Sequence, residues 1–211
     1  MEMDLALVQF VQSVSIWLAP ALHALSFLGT EPFYLVAAPA LLWCVDASLG
    51  LQVGLLLMTS ANLNATAKML FGTPRPYWID PGIRGLASES SFGFPSGHAQ
   101  NSTALWGMLA CAAQRPWVTF LSLALILGIS LSRVALGVHS ATDLLGGWLI
   151  GAVLLFGFLN FGPPVGAWAR TGRLAGRMLA AWAASLVLLA FGVAVRAWIA
   201  RPPLAEWAAQ A

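Results

Sequence analysis

The sequence predicts an all-α fold, a polytopic membrane bundle of about six transmembrane helices preceded by an N-terminal interfacial helical segment. Composition, hydropathy and the lengths of the apolar stretches carry that expectation. Of 211 residues, 59% are hydrophobic and 9% are charged, against about a quarter charged in an ordinary soluble domain. Mean hydropathy is +0.80, and several stretches approach the length of about 20 apolar residues that a helix needs to cross a bilayer. A soluble enzyme, a secreted disulfide scaffold and a disordered chain are excluded. Ten cations against eight anions leave a net charge of +2, too small and too dispersed for a nucleic-acid-binding face. Cys44 and Cys111 lie in apolar stretches and read as small buried hydrophobes.

The first element, Leu5 to Leu28, is long enough to span but carries Gln9, Gln12, Ser13, Ser15 and His23 and is broken at Pro20. It reads as helix lying in the interface, giving an N-terminal segment 1–31. Spans follow from Pro32 to Val45, Leu49 to Phe71, Gly97 to Ala113, Trp117 to Leu136 and Ala141 to Phe161. Together they make a core over 32–162. The remainder, 163–211, is expected to be a cationic loop and a last span from Met178 to Trp198. Tight turns at Asp46 to Gly50 and Gln114 to Pro116 make two helical hairpins. Trp43, Trp117, Trp168 and Trp198 fall near span ends and read as interfacial anchors. The longest polar interruption, Gly72 to Pro95, is too rich in proline and glycine to be helical throughout. Loops of that length are usually functional or mobile. Tyr77 and Trp78 fit either an anchoring or a substrate-gating role, and Asp80 and Glu89 read as solvated.

Ionisable groups beside apolar spans are costly and mark candidate sites. Lys68 closes the second span, Arg75 follows it, Ser96, Gly97 and His98 open the third, Arg133 closes the fourth, and His139 and Asp143 open the fifth. Successive spans alternate in direction, so all these groups converge on one membrane face. Lys68, Arg75 and Arg133 are three cations, and guanidinium groups match phosphoryl oxygens in pairs. Pro95-Ser96-Gly97 leads into a helix start whose free N–H groups attract anions. The i,i+4 spacing of His139 and Asp143 places them on one face of a helix. A carboxylate on one ring nitrogen fixes the tautomer and leaves the other nitrogen to attack. His98 is a second imidazole, suited to protonate a leaving oxygen.

Lys68, six residues, Arg75-Pro76; Pro95-Ser96-Gly97-His98; and Ser132-Arg133, five residues, His139, three residues, Asp143 together resemble the three-part signature of the type 2 phosphatidic acid phosphatase (PAP2) superfamily. Leu28 to Tyr34 also resembles, more loosely, the segment before the core of sphingosine-phosphate-phosphatase-like members. The resemblance implies an integral membrane phosphatase acting on a lipid phosphomonoester or pyrophosphate of isoprenoid, glycerolipid or sphingoid type. It implies His139 as the nucleophile forming a phosphohistidine, Asp143 as its orienting partner and His98 as the general acid. Lys68, Arg75, Arg133, Ser96 and the Gly97 N–H would hold the phosphate, with no metal and no cofactor. Phosphotransfer to another acceptor by the same residues, or non-catalytic carriage of a lipid phosphate, are the alternatives.

The implied partners are the lipid substrate and the bilayer, with no nucleic acid. With Lys68, Arg75 and Arg133 set aside, Arg115, Arg170, Arg173 and Arg177 lie opposite the site, and Arg84, Arg196 and Arg201 lie on its side. That slim bias faces the site away from the cytoplasm, toward the periplasm or exterior of a bacterial inner (plasma) membrane.

Overall fold

The computed structural model describes residues 2–199 and is helical throughout its regular structure. The elements are α1 (Glu2–Ser15), a short 3-10 turn (Ile16–Leu18), α2 (Ala19–Phe27), α3 (Glu31–Cys44), α4 (Ala47–Phe71), the single-turn α5 (Pro76–Ile79), α6 (Gly97–Ala113), α7 (Pro116–Ala135), α8 (Ala141–Thr171) and α9 (Leu174–Ile199). Both hairpins form. Asp46 caps α4 by accepting from the Leu49 N–H at 2.7 Å, and Gln114 ends α6 in the left-handed region at φ 50°.

Helix α6 is the hub, packing on α4, α7 and α8. Its approach to α8 depends on Gly147 and Gly151, one turn apart. A Cβ at either would lie 2.6 Å from the carbonyl oxygen of Ser96 or Gln100. Small residues at this spacing let membrane helices meet backbone to backbone, where dispersion replaces the hydrophobic drive that lipid cannot supply. On the other side, α6 meets α4 through side-chain hydrogen bonds. Asn64 Nδ2 donates to Gln100 Oε1 at 2.9 Å, Gln100 Nε2 donates to the Ser60 carbonyl at 2.8 Å, and Ser60 Oγ donates to Asn101 at 2.6 Å.

Four described segments are long and apolar enough to cross a membrane by length and composition: Glu2–Phe27, Pro116–Ala135, Ala141–Thr171 and Leu174–Val195. The expected count of six is therefore approximate. The helices α3 and α6 are short, at 14 and 17 residues. Helix α4 has 25 residues but carries Ser60, Asn64 and Lys68 on its inner side, and these polar groups dilute its hydropathy.

One boundary and one burial differ from expectation. Helix α8 does not stop at Phe161 but runs through Pro163 and Pro164 to Thr171, so the cationic loop shrinks to a break at Gly172 and Arg173. A proline inside a membrane helix forfeits a backbone bond without necessarily ending the helix. Cys44 and Cys111 are free and exposed, not buried, because lipid solvates an apolar side chain as well as the interior does. Arg201 lies outside the described residues.

The N-terminal segment is tied along its length to the rest of the bundle. Its start reaches the head of α8, where Thr142 donates to Asp4 at 3.0 Å. Its middle reaches the loop, where Gln12 Nε2 donates to the Arg84 carbonyl at 2.8 Å. Its end reaches α7, where Arg133 donates to Ser26 at 2.7 Å. Both ends are tied to the same end of the bundle.

Candidate active site

At that end, Ser140 caps α8 and forms a reciprocal capping box with Asp143. One oxygen of Asp143, Oδ2, accepts from the Ser140 N–H at 2.9 Å and contacts His139 Nδ1 at 3.2 Å. The expected pairing of His139 and Asp143 therefore exists, but not across a turn of helix. His139 precedes the cap, and the capping box swings the carboxylate back toward it.

The tautomer of His139 follows from its neighbours. Asp143, where ionised, can only accept, so Nδ1 carries the proton; the Arg75 guanidinium, 3.3 Å from Nε2, can only donate, so Nε2 holds the lone pair. Burial, with Arg75, Lys68 and Arg133 nearby, holds the imidazole pKa well below its ordinary value and keeps that lone pair unprotonated. Burial also lowers the Arg75 pKa.

The long loop is pinned, not free. Arg75, fully buried, donates from Nη1 to the Val138 carbonyl at 3.0 Å and from Nε to the Ser91 carbonyl at 2.6 Å. Lys68 donates to the Phe92 carbonyl at 2.5 Å and to Ser91 Oγ at 3.2 Å. Trp78 is buried and packs edge to face on Phe92, while Tyr77 donates to the Glu89 carbonyl at 3.3 Å. These two aromatics build the interior of the loop.

Glu89 overturns its reading as a solvated residue. Its carboxylate bridges the two arginines, 3.2 Å from Arg75 Nη2 and in very close contact with Arg133 Nη2. Gathering like charges in a buried site is costly, and the Glu89 carboxylate between the two guanidinium groups offsets that cost. Charge alone did not reveal it, since nothing in the sequence marks which loop acid folds inward.

A cavity of roughly 230 Å³ opens here, with Lys68, Glu89, Gly97, His98, Asn101 and His139 among its lining. His98 Nε2 is buried and has no hydrogen-bond partner among the described residues. Of the residues expected from sequence, Lys68, Gly97, His98 and His139 line the cavity. Arg75, Arg133 and Asp143 do not line it but hold residues that do: the arginines pair with Glu89, Arg75 also contacts His139 Nε2, and Asp143 pairs with His139 Nδ1. Ser96 does not reach the cavity wall; it is buried and its Oγ caps α6 by accepting from the Ala99 N–H at 3.4 Å. Asn64 and Asn101 went unrecognised, although Ser60, Asn64 and Lys68 recur every four residues, the spacing of one helix face. Among the described residues no group of three or more His, Cys, Asp or Glu is placed to hold a metal ion.

The model of the PAP2 superfamily matches residues 49–167. Over 106 residues the chain is 33% identical to phosphatidylglycerophosphatase B of Bacillus subtilis, covering 42% of this chain and 52% of that protein. Over 136 residues it is 31% identical to sphingosine-1-phosphate phosphatase 2 of Mus musculus, covering 61% of this chain and 38% of that one. The chain thus spans about half or less of the length of these relatives. The structure resembles that of the transmembrane PAP2 type phosphatidylglycerolphosphate phosphatase from Bacillus subtilis, with a TM-score of 0.65 at 25% identity over 78% of this chain and 86% of that one. It shares its fold with Aquifex aeolicus LpxE, with a TM-score of 0.68 at 20% identity over 75% and 95% of the two chains.

Proposed function

The chain belongs to the PAP2 superfamily, and from that premise we propose that it is an integral membrane lipid phosphatase working through a phosphohistidine. One observation carries the reading: His139 is held by Asp143 at Nδ1 while Nε2 faces the guanidinium of Arg75. A phosphoryl group drawn to Arg75, Arg133 and Lys68 displaces the Glu89 carboxylate and meets that lone pair. The N–P bond forms as the bond from phosphorus to the lipid-side oxygen breaks, and His98 Nε2 gives that oxygen its proton. Asp143 stabilises the charge that develops on the ring, and the three cations stabilise the charge on the phosphoryl oxygens. His98 then takes a proton from water, whose oxygen attacks phosphorus, the N–P bond breaks and phosphate leaves. The unpartnered Nε2 of His98 supports its assignment to an oxygen that only substrate or water provides.

The ties of Asp4 and Ser26 to one end of the bundle support an N-terminal segment lying at the interface around the site. Arg115, Arg170, Arg173 and Arg177 sit at the two turns on the far side, which supports a site facing away from the cytoplasm, outward from a bacterial inner membrane.

The test is phosphate release by the purified chain from undecaprenyl pyrophosphate, phosphatidic acid, phosphatidylglycerol phosphate and sphingosine phosphate. His139→Ala is expected to lower turnover by on the order of 10⁴-fold, with an unchanged elution profile in detergent, and to abolish the alkali-stable phosphoprotein formed from labelled substrate. Wild-type turnover in His139→Ala would overturn the nucleophile. A phosphorylated lipid product in place of free phosphate would make the enzyme a transferase, and lipid movement that survives His139→Ala would make it a carrier.

A further inference from the structure

The cavity wall on the His98 side differs from the cationic side. Gly29 packs directly on the imidazole: a Cβ there would lie 2.7 Å from His98 Cδ2 and 2.6 Å from Ile129 Cγ2. Thr30 and Glu31 continue the same wall. His98 serves the departing oxygen, so this turn borders the first carbons of the leaving alcohol and not the phosphoryl oxygens.

The carboxylates of the site have different partners. Glu89 is held by Arg75 and Arg133, and Asp143 by His139 and Ser140. Glu31 is exposed at the cavity mouth and has no hydrogen bond or ion pair among the described residues. A free carboxylate there repels every phosphate that enters. It favours only a ligand that carries a positive charge on its leaving-group side.

We propose that Glu31 is an ammonium subsite, and that the preferred substrate is a phosphomonoester with a protonated amine close to the ester oxygen. A 2-amino alcohol phosphate of the sphingoid-base type has this arrangement. The proposal rests on the phosphatase reading above. Lys68 and the two arginines take the phosphoryl oxygens, His98 addresses the ester oxygen, and Glu31 takes the amine beside it.

The experiment measures kcat/KM of the purified full chain in mixed micelles on sphingosine 1-phosphate and on its N-acetyl form, in which the amine is an uncharged amide. Glu31→Gln is expected to lower kcat/KM about fivefold on the amine and to leave the amide unchanged or slightly improved, with Glu31→Asp restoring part of the loss. The thermal midpoint of Glu31→Gln should match wild type, which separates the subsite from a merely favourable acid in the first turn of α3. Equal losses on both substrates, or no change on either, would overturn the subsite while leaving the phosphatase intact. Failure of the wild-type chain to release phosphate from either substrate, or from the lipid panel above, would instead overturn the phosphatase reading, and the subsite with it.

Discussion

Helices α4 and α9 pack against each other and are nearly equal in length, at 25 and 26 residues, yet they obey opposite rules. Helix α4 buries Ser60, Asn64 and Lys68 and points them at α6 and the long loop. Helix α9 leaves Leu179 and Trp182 each 70% exposed, so its apolar side chains face lipid. In a bilayer an apolar surface needs no protein partner, and burial is reserved for groups that lipid cannot satisfy. Buried polar side chains on α4 therefore fix its position against α6 and the long loop, whereas the exposed apolar ones on α9 suit insertion.

That contrast can be broken at its strongest point by Lys68→Met. On the proposed mechanism this removes one of three charge-stabilising groups and is expected to lower kcat/KM by about 10²-fold. The sign of the pH effect is also set. Lys68 is one of the cations that depress the His139 pKa, so without it that pKa rises and the acidic limb of the kcat/KM profile moves to higher pH. A limb that stayed in place or moved down would deny that Lys68 acts on His139.

Gly147→Ala tests the dry contact that holds α8 on α6. The added Cβ meets the Ser96 carbonyl at 2.6 Å, and overpacking of this kind costs about 1–3 kcal/mol, visible as a lowered thermal midpoint in detergent. An unchanged midpoint would show that the two helices separate without cost.

Glu89→Gln is milder. It frees two guanidinium groups from their internal carboxylate, and the inhibition constant for inorganic phosphate is expected to fall by about tenfold, equivalent to about 1.4 kcal/mol. A rise would show that Glu89 orients the arginines and does not compete with phosphate. The smallest effect belongs to α9: Leu186→Ala, half-exposed to lipid, should leave activity within about twofold and stability within about 0.5 kcal/mol. A larger change would mean that this face has a protein partner.

The convergence of Lys68, Arg75, His98, Arg133, His139 and Asp143 was legible because each stands at or just beyond the end of an apolar run, and threading assigns all those ends to one face. Their finer arrangement was not. The partner of His139 arrives through a helix cap, which spacing alone reads as a helical turn. Ser96 is a cap and Glu89 an internal counter-ion, and both depend on how the 72–95 loop folds back. The fate of Pro163 and Pro164 was illegible for a related reason, since a proline ends a helix in water more readily than in lipid.

Composition and the order of apolar runs, by themselves, determined that this chain is a membrane helical bundle with its scarce charges gathered at one end, because each uncompensated charge in hydrocarbon is expensive and must cluster or leave. Only the tertiary structure decided which acid sits among the arginines, which imidazole nitrogen is free, and that the turn at Gly29 lies against His98 with Glu31 beside it. Those choices depend on contacts between residues dozens of positions apart, where a few ångströms separate a bound carboxylate from a solvated one.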